Sequence, residues 1–294
     1  MLAVVILNWT WGRLPTTPRA SGSFIALDGL KVRYLEQPGS EPAVLLLHGQ
    51  PGTADDWEHV TPLLQGRRTI AIDRPGYGFS TGGYHGIQRQ LRAIEELRSR
   101  LALGNPIIVG HSYGGTIALA YAEQHPHHIS GLVTVDAGAA CAHVGFLERA
   151  QAHFVKLVEL PVIAQVADVT FSQLVRTAAA EKGDDEAFSP GPVDSRHRER
   201  LLAINLKHGN LEAFAGEALA ANGVISKVNR SLAKIRTPTV VIQGEADKLV
   251  KAKCGRELAA DIPGSSLQML AGSHMQPYVH PEAVAAAVAK VARG

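Results

Sequence analysis

The residues best suited to chemistry lie at 110–114, where the chain reads Gly-His-Ser-Tyr-Gly. An apolar run at 106–109 precedes them, and a helix-like run at 116–122 follows them. This pattern predicts a sharp turn between a strand and a helix, with the serine hydroxyl exposed at the turn. Glycines suit both ends of the turn, because a side chain there would collide where strand and helix close together. Ser112 is therefore the candidate nucleophile.

A nucleophilic serine needs a base, and the base needs an acid that orients it. His274 follows a short strand-like run at 266–270, and Asp247 follows an apolar run at 239–244. The carboxyl ends of parallel strands meet at one edge of a sheet, so we expect these residues to converge on Ser112. His274 would then take the serine proton, and Asp247 would hold the imidazole in the required tautomer.

Two other residues compete for the roles of acid and base. Asp136 also ends an apolar run, at 129–135, and is the alternative acid. His280 is the alternative base, although the sequence His-Pro-Glu at 280–282 is typical of the start of a helix. We therefore favour Asp247 as the acid and His274 as the base.

Five landmarks occur in order along the chain, at 48–52, 73–80, 110–115, 244–247 and 272–274. On these segments the chain resembles the α/β-hydrolase fold serine hydrolases, in the esterase and lipase-like group that bears a helical cap. The resemblance extends over residues 23–294. It implies a mostly parallel central sheet flanked by helices, with the catalytic serine, acid and histidine in that order along the chain.

Attack on an ester carbonyl creates an oxyanion that needs preorganised hydrogen-bond donors. The backbone N–H of Tyr113, directly after the serine, is one candidate donor. The second should come from the loop after the apolar strand at 44–47, and the resemblance assigns it to the N–H of Gln50. The resemblance also makes His48 and Gly49 supporting residues of this loop, and it turns the Gln50 side chain toward the acyl pocket.

Alternating strand-like and helix-like segments predict one α/β core, at 23–138 and 230–294, whose mostly parallel sheet is covered on both faces. Between 139 and 229 the alternation stops and apolar residues recur at helical spacing, which predicts an inserted helical cap. A cap over the catalytic edge would exclude water and shape the substrate pocket. The candidate pocket residues in this cap are Phe146, Phe154, Phe171, Phe188 and Phe214.

The core elements can be placed from the pattern of apolar residues. A hairpin turns at Asp28-Gly29, between strands at 24–27 and 31–35. Further strands are predicted at 43–47, 69–73, 106–110, 131–135, 238–243 and 266–270. Helices are predicted at 54–64, 86–102, 113–124, 251–261 and 281–292. In the cap, breaks are predicted at 183–185 and 189–192, and helices at 195–208 and 210–221.

Composition fits an ordinary globular enzyme. The net charge of +2 at pH 7 gives no reason to expect a nucleic-acid partner. Cys141 and Cys254 are widely spaced and imply no disulfide framework, which fits a reducing compartment and a cytoplasmic location. The histidines within 125–128 surround a proline at a predicted helix end, and we interpret them as surface residues rather than as metal ligands.

Residues 1–22 are predicted to form an apolar N-terminal arm and a linker. The chain begins with an apolar run at 1–6, followed by Trp9, Trp11 and Arg13. This run is far shorter than the ~20 residues that span a bilayer. It also lacks a clear basic start and a clear small-residue cleavage site of a secretory signal. Two interpretations stay open, an arm packed on the protein and a peripheral membrane contact through residues 1–13.

The predicted reaction is hydrolysis of a small-molecule carboxylic ester through an acyl-enzyme on Ser112. The triad and the oxyanion hole supply nucleophile, base and electrophile, so neither a cofactor nor a metal is expected. A serine rather than an aspartate at this position weighs against the epoxide-hydrolase and dehalogenase branches. The alternatives with the same triad are an amino- or iminopeptidase, a C–C bond hydrolase and a small-molecule binder with negligible turnover. No oligomeric state is predicted.

Overall fold

The computed structural model describes residues 17–84, 86–158, 172–206 and 209–293. The predicted N-terminal arm or membrane contact at 1–13 lies outside these residues, and so does Phe171. The described residues form one sheet in the order β1-β2-β4-β3-β5-β6-β7-β8. Its strands are β1 (Ser23–Leu27), β2 (Leu30–Gln37), β3 (Ser40–Leu47), β4 (Arg67–Ile72), β5 (Ile107–His111), β6 (Gly131–Val135), β7 (Thr239–Gly244) and β8 (Ser266–Leu270).

The α-helices follow the strands in the alternation that the sequence predicts. They are α1 (Ile87–Arg100), α2 (Tyr113–Gln124), α3 (Phe146–Val158), α4 (Ser172–Phe188), α5 (Ser195–Arg200), α6 (Asn210–Asn229), α7 (Ala252–Asp261), α8 (Gln276–Val279) and α9 (Pro281–Val291). A π-helical stretch, Leu201–Asn205, continues α5. Among the described helices, none combines the length and the apolar character needed to cross a membrane.

The strand pairing confirms a mostly parallel sheet. β1 and β2 form the predicted antiparallel hairpin, and β2 also pairs antiparallel with β4. Every further pair in the described sheet is parallel. The central strands β5, β6 and β7 are buried along their whole length, as expected for apolar strands covered on both faces. Helices α1 and α2 pack on one face and α9 on the other, which leaves the carboxyl edge to the loops.

Two of the predicted helix assignments are wrong. The helix predicted at 54–64 is instead a pair of 3₁₀ helices, Ala54–Trp57 and Thr61–Leu64. Pro62 lies inside the second of these and has no N–H for a continuous α-helix to use. The break predicted at 183–185 is absent, because α4 runs through it to Phe188. A glycine inside a helix costs only about 1 kcal/mol relative to alanine, and the helix end packs against Met275.

Between β6 and β7 the chain leaves the sheet, and its described residues form helices α3 to α6. We call residues 139–229 the helical segment. Helices α3 and α6 pack together through small residues, Ala152 against Ala215 and Ala218. The Asn229 side chain forms two hydrogen bonds with the backbone of Ala140, at 2.9 and 2.7 Å. These bonds join the loop that enters the helical segment to the end of α6.

Cys141 and Cys254 form a disulfide, so the expectation of no disulfide framework is wrong. The two residues are 113 positions apart in sequence, but their Cα atoms lie 4.8 Å apart. Cys141 follows β6 and Cys254 lies on α7, which follows β7; since β6 and β7 pair in parallel, the segments after them meet at one edge. Disulfides are rare in the reducing cytosol, so the bridge removes the support that the cysteine spacing gave to a cytoplasmic location.

Candidate active site

Ser112 lies at the turn between β5 and α2, where the sequence motif places it. Its backbone has φ +52°, a left-handed conformation that few residues other than glycine adopt. Its N–H donates to the carbonyl of Val135 in β6 at 2.9 Å. A Cβ atom at Gly110 would collide with the carbonyl of Gly114, and one at Gly114 would collide with the carbonyl of Leu47. The glycines therefore let strand and helix close tightly and hold the serine, partly exposed, at the sheet edge.

Asp247 and His274 meet at the same edge. His274 Nδ1 lies 2.8 Å from Asp247 Oδ2, and both side chains are buried. Asp247 Oδ1 accepts the backbone N–H groups of Leu249 and Val250, at 2.8 and 2.9 Å. Burial alone would raise the pKa of Asp247, but the charge of His274 and these hydrogen bonds lower it below its ordinary value. The pair has the arrangement in which a carboxylate fixes the Nδ1–H tautomer and leaves Nε2 to move a proton.

Asp136, the alternative acid, is fully buried close to this pair. Its Oδ1 accepts the N–H of Gly244 at 2.7 Å and the side-chain amide of Gln243 at 3.1 Å. The same amide nitrogen also lies 3.1 Å from Asp247 Oδ2, so it bridges the two carboxyl groups. Burial, and then the negative charge of Asp247, raise the pKa of Asp136 well above its ordinary value. An acid that balances an imidazolium ion must be ionised, so the raised pKa of Asp136 and the lowered pKa of Asp247 favour Asp247 as the acid.

The histidine loop is held from two sides. His111 Nε2 donates to the backbone carbonyl of His274 at 2.9 Å. Burial lowers the pKa of His111 to about 3, so its ring is neutral. The backbone N–H of His274 donates to the carbonyl of Ala187, at the end of α4, at 3.0 Å. Sequence patterns alone assigned no role to His111 or Gln243; the signal that identifies them is a polar residue inside an otherwise apolar strand.

The loop after β3 passes close to the serine. A Cβ atom at Gly49 would lie 3.0 Å from Ser112 Cβ. His48 is fully buried, and its Nε2 accepts the backbone N–H of Arg74 at 2.9 Å. Its Nδ1 therefore carries the proton and donates to the carbonyl of Gly49 at 2.9 Å. Burial, and then the charge of Arg74, lower the pKa of His48 to about 3. A neutral histidine thus braces the loop that contains the predicted oxyanion donor.

The predicted pocket residues differ in their location and in their exposure to solvent. The Gln50 side chain donates to the carbonyl of Phe214 on α6 at 2.7 Å, which ties the loop to the helical segment. Phe214 is half-buried there, whereas Phe154 on α3 is 59% exposed. Phe188 is buried against Met275, directly after the histidine. The side chain of Phe146, like the whole of Phe171, lies outside the described residues.

Known proteins share this chain's sequence pattern across most of its length. The model of the α/β hydrolase fold family matches residues 42–281. Monoacylglycerol lipase abhd6-B of Xenopus laevis is 26% identical over 243 residues, which cover 80% of this chain and 70% of the relative. A monoacylglycerol lipase of Mycolicibacterium smegmatis is 26% identical over 282 residues, which cover 91% of this chain and 94% of the relative.

Solved structures share the fold. A hydrolase from Pseudomonas aeruginosa has a TM-score of 0.72 and 26% identity, and the match covers 92% of this chain and 98% of that one. An α/β hydrolase fold protein from Burkholderia ambifaria has a TM-score of 0.76 at 22% identity, with 95% and 100% coverage; at that identity the likeness shows the fold alone. Because the family match covers strands β4 to β8, most of β3, the serine turn and the Asp247–His274 pair, this chain belongs to the α/β hydrolase fold family.

Proposed function

We propose that this protein is a serine hydrolase that cleaves carboxylic esters through an acyl-enzyme on Ser112. The observation that carries the proposal is the buried 2.8 Å contact between His274 Nδ1 and Asp247 Oδ2 at the sheet edge where Ser112 stands. Relatives named as monoacylglycerol lipases support ester hydrolysis in general. The proposed nucleophile, the proposed base with its acid, and the proposed oxyanion donors all lie on loops at that edge.

In the first half-reaction, Ser112 Oγ attacks the ester carbonyl carbon while His274 Nε2 takes its proton. Asp247 holds the imidazole by its Nδ1–H and stabilises the imidazolium that forms. The carbonyl oxygen becomes an oxyanion and accepts hydrogen bonds from the backbone N–H groups of Gln50 and Tyr113. The tetrahedral intermediate then collapses, His274 passes the proton to the leaving alkoxide oxygen, and the alcohol departs.

In the second half-reaction, a water molecule replaces the alcohol. His274 takes a proton from the water as its oxygen attacks the acyl carbon, and a second oxyanion forms at the same two N–H groups. Collapse breaks the bond to Ser112 Oγ, which recovers its proton from His274. The products are one carboxylic acid and one alcohol for each water consumed, and the serine is regenerated.

We further propose that the helical segment is a cap over this edge. Three contacts support it: the Gln50 side chain on the Phe214 carbonyl, the His274 N–H on the Ala187 carbonyl, and an ion pair between Glu217 and the core. A cap separates the reacting groups from bulk solvent, while admitting the water that deacylation consumes, and lines the acyl and alcohol pockets. Because two relatives are named as monoacylglycerol lipases, monoacylglycerols belong among the esters to be tested.

The test is steady-state hydrolysis of p-nitrophenyl esters from acetyl to palmitoyl, with 1-monoacylglycerols measured by release of fatty acid. Ser112→Ala is the inactive variant, and Ser99→Ala, an exposed serine on α1, is its matched control. We expect turnover in the wild type and in the control, and none above background in Ser112→Ala. The acyl length with the highest kcat/KM then defines the substrate class.

Two results would contradict the proposal. Turnover retained by Ser112→Ala would place the nucleophile elsewhere. No turnover of any ester by the folded wild type would reject ester hydrolysis and leave the peptidase, C–C bond hydrolase and binder alternatives. Peptide substrates with N-terminal proline and a ring-fission dienone acid distinguish the first two of these, and binding without turnover would mark the third.

A further inference from the structure

A pair of fully buried charges joins the sheet edge to the helical segment. Arg74 follows β4 and Glu217 lies on α6, and their side chains are 1% and 0% exposed. The guanidinium holds the carboxylate through two nitrogens, at 2.6 and 3.1 Å, and the Tyr77 hydroxyl donates to it at 2.6 Å. A buried ion pair gives little net stability, because desolvation of the charges offsets their attraction. Because the Arg74–Glu217 pair adds little stability, its position in the fold indicates another role.

The same guanidinium holds the backbone of the loop after β3. Its Nε donates to the carbonyl of His48 at 3.0 Å, and its Nη2 donates to the carbonyl of Gly49 at 2.8 Å. The Gly49 carbonyl and the Gln50 N–H belong to one planar trans peptide group, in which they point in opposite directions. A hydrogen bond from Arg74 to the carbonyl therefore fixes the direction in which the Gln50 N–H points.

A cation on the carbonyl also makes the N–H a stronger donor. Hydrogen bonds in a chain polarise one another by about 10–30% per bond, and His48 Nδ1 adds a second donor to the same carbonyl. The guanidinium also lies 5.7 Å from the ring centroid of Tyr113, whose N–H is the other proposed oxyanion donor. Arg74 thus binds the peptide group that carries the Gln50 N–H, and it lies beside the ring of Tyr113.

We propose that Arg74, held in place by Glu217 of the helical segment, is a positioning residue that orients and polarises the Gly49–Gln50 peptide for oxyanion stabilisation. This inference rests on the proposed function, since it requires an oxyanion to form beside Ser112. The helical segment then contributes to the rate through a charge, in addition to covering the site. Such a role affects the transition state and leaves substrate binding in the ground state unchanged.

The double variant Arg74→Met/Glu217→Met removes both charges together, so that neither is left buried and unpaired. We expect kcat for ester hydrolysis to fall about 10- to 100-fold, less than the 10²–10³-fold loss when an oxyanion donor is removed outright. KM should stay within about threefold, because ground-state contacts are unchanged. Arg74→Lys is a milder change. It keeps the positive charge but loses the two-nitrogen contact of the guanidinium, so we expect its kcat to lie between those of the wild type and the double variant.

Tyr77→Phe is the matched control. It removes a hydrogen bond from the same buried carboxylate and leaves the guanidinium contacts to His48 and Gly49 in place. We expect this variant to unfold at lower temperature and to keep kcat within about twofold of the wild type. A folded double variant with wild-type kcat, or a Tyr77→Phe variant that loses as much kcat as Arg74→Lys, would overturn the inference.

Labelling by a fluorophosphonate separates this inference from the ester proposal. Ser112 Oγ displaces fluoride from phosphorus, its proton passes to His274, and the phosphoryl oxygen occupies the oxyanion hole. If the wild type is labelled but hydrolyses no ester, the ester proposal fails while the labelling rates still decide the role of Arg74. The double variant should then label about tenfold more slowly. Equal rates, or no labelling of the wild type, would overturn the inference.

Discussion

Asp136 offers a sharp test of the acid assignment, because its surroundings oppose the ionisation of its carboxyl group. Burial and the negative charge of Asp247 raise the pKa of Asp136 well above its ordinary value. The change Asp136→Asn therefore replaces a carboxyl group whose neutral form is favoured with a neutral amide of nearly the same shape. Oδ1 can still accept the Gly244 N–H and the Gln243 amide. We expect kcat to stay within about fivefold of the wild type, since Asp247 still orients the histidine.

The stability of this variant should depend on pH in a defined direction. Above about pH 4 the Asp136 carboxyl ionises in the unfolded chain, whereas its raised pKa opposes ionisation in the folded protein. The unfolded wild type then binds fewer protons than the folded one, so its stability falls as pH rises. For a single proton this slope is at most about 1.4 kcal/mol for each pH unit. Asp136→Asn lacks this loss, so its stability relative to the wild type should increase as pH rises from pH 5 to pH 7.

The assay is urea unfolding of the wild type and of Asp136→Asn at pH 5, 6 and 7, with ester turnover measured on the same samples. Because only the difference between the two proteins is used, groups that titrate in both cancel. A difference in unfolding free energy that does not change with pH would mean that Asp136 is ionised in the folded protein. Loss of activity by orders of magnitude would move the acid role from Asp247 to Asp136.

Three further perturbations have defined outcomes. Asp247→Asn should leave the protein folded and lower kcat by about 10⁴-fold, because the histidine loses its orienting carboxylate; circular dichroism and ester kinetics check this. Cys141→Ser/Cys254→Ser should lower the unfolding free energy by about 2–4 kcal/mol, since the bridge joins residues 113 positions apart; urea unfolding measures it. Burial alone would lower the pKa of His197, but Asp184 and Asp56 raise it to about 9. His197→Gln should therefore be less stable than the wild type by about 3 kcal/mol below pH 6.5, a deficit that disappears as pH rises through 9.

Each of these outcomes can be contradicted by its own assay. Wild-type turnover in Asp247→Asn would remove that residue from the proposed triad. An unfolding free energy unchanged in the double cysteine variant, measured without reductant, would mean that the bridge does not form. For His197→Gln, a stability deficit that is the same at pH 6 and pH 10 would show that the histidine is not charged between its two aspartates.

The features that the sequence predicts well are those fixed by local patterns. Residues 110–114 specify the serine turn because its tight closure requires glycine at defined positions. The alternation of apolar strands and helices sets the order of the parallel sheet, and the carboxyl edge of that sheet then brings Asp247 close to His274. The prediction of one helix at 54–64 is wrong because the pattern of apolar residues does not account for Pro62, which lacks the N–H that a continuous α-helix needs.

The features that the sequence does not reveal depend on contacts between distant segments. The Cys141–Cys254 bridge follows from the pairing of β6 with β7, which the separation in sequence does not show. The raised pKa of Asp136 depends on complete burial beside another carboxylate. The pairing of Arg74 with Glu217 joins a loop to a helix 143 residues away, across a helical segment whose packing no local pattern determines.

The most direct test of the central claim is to trap the acyl-enzyme and find the acylated residue. The wild type is mixed with p-nitrophenyl acetate, quenched with acid within the first turnovers, digested and examined by mass spectrometry. The mechanism predicts one acetyl group on Ser112 in the wild type and none at that residue in Ser112→Ala. Acetylation of another residue that accounts for turnover, or ester turnover with no acylated serine at 112, would contradict it.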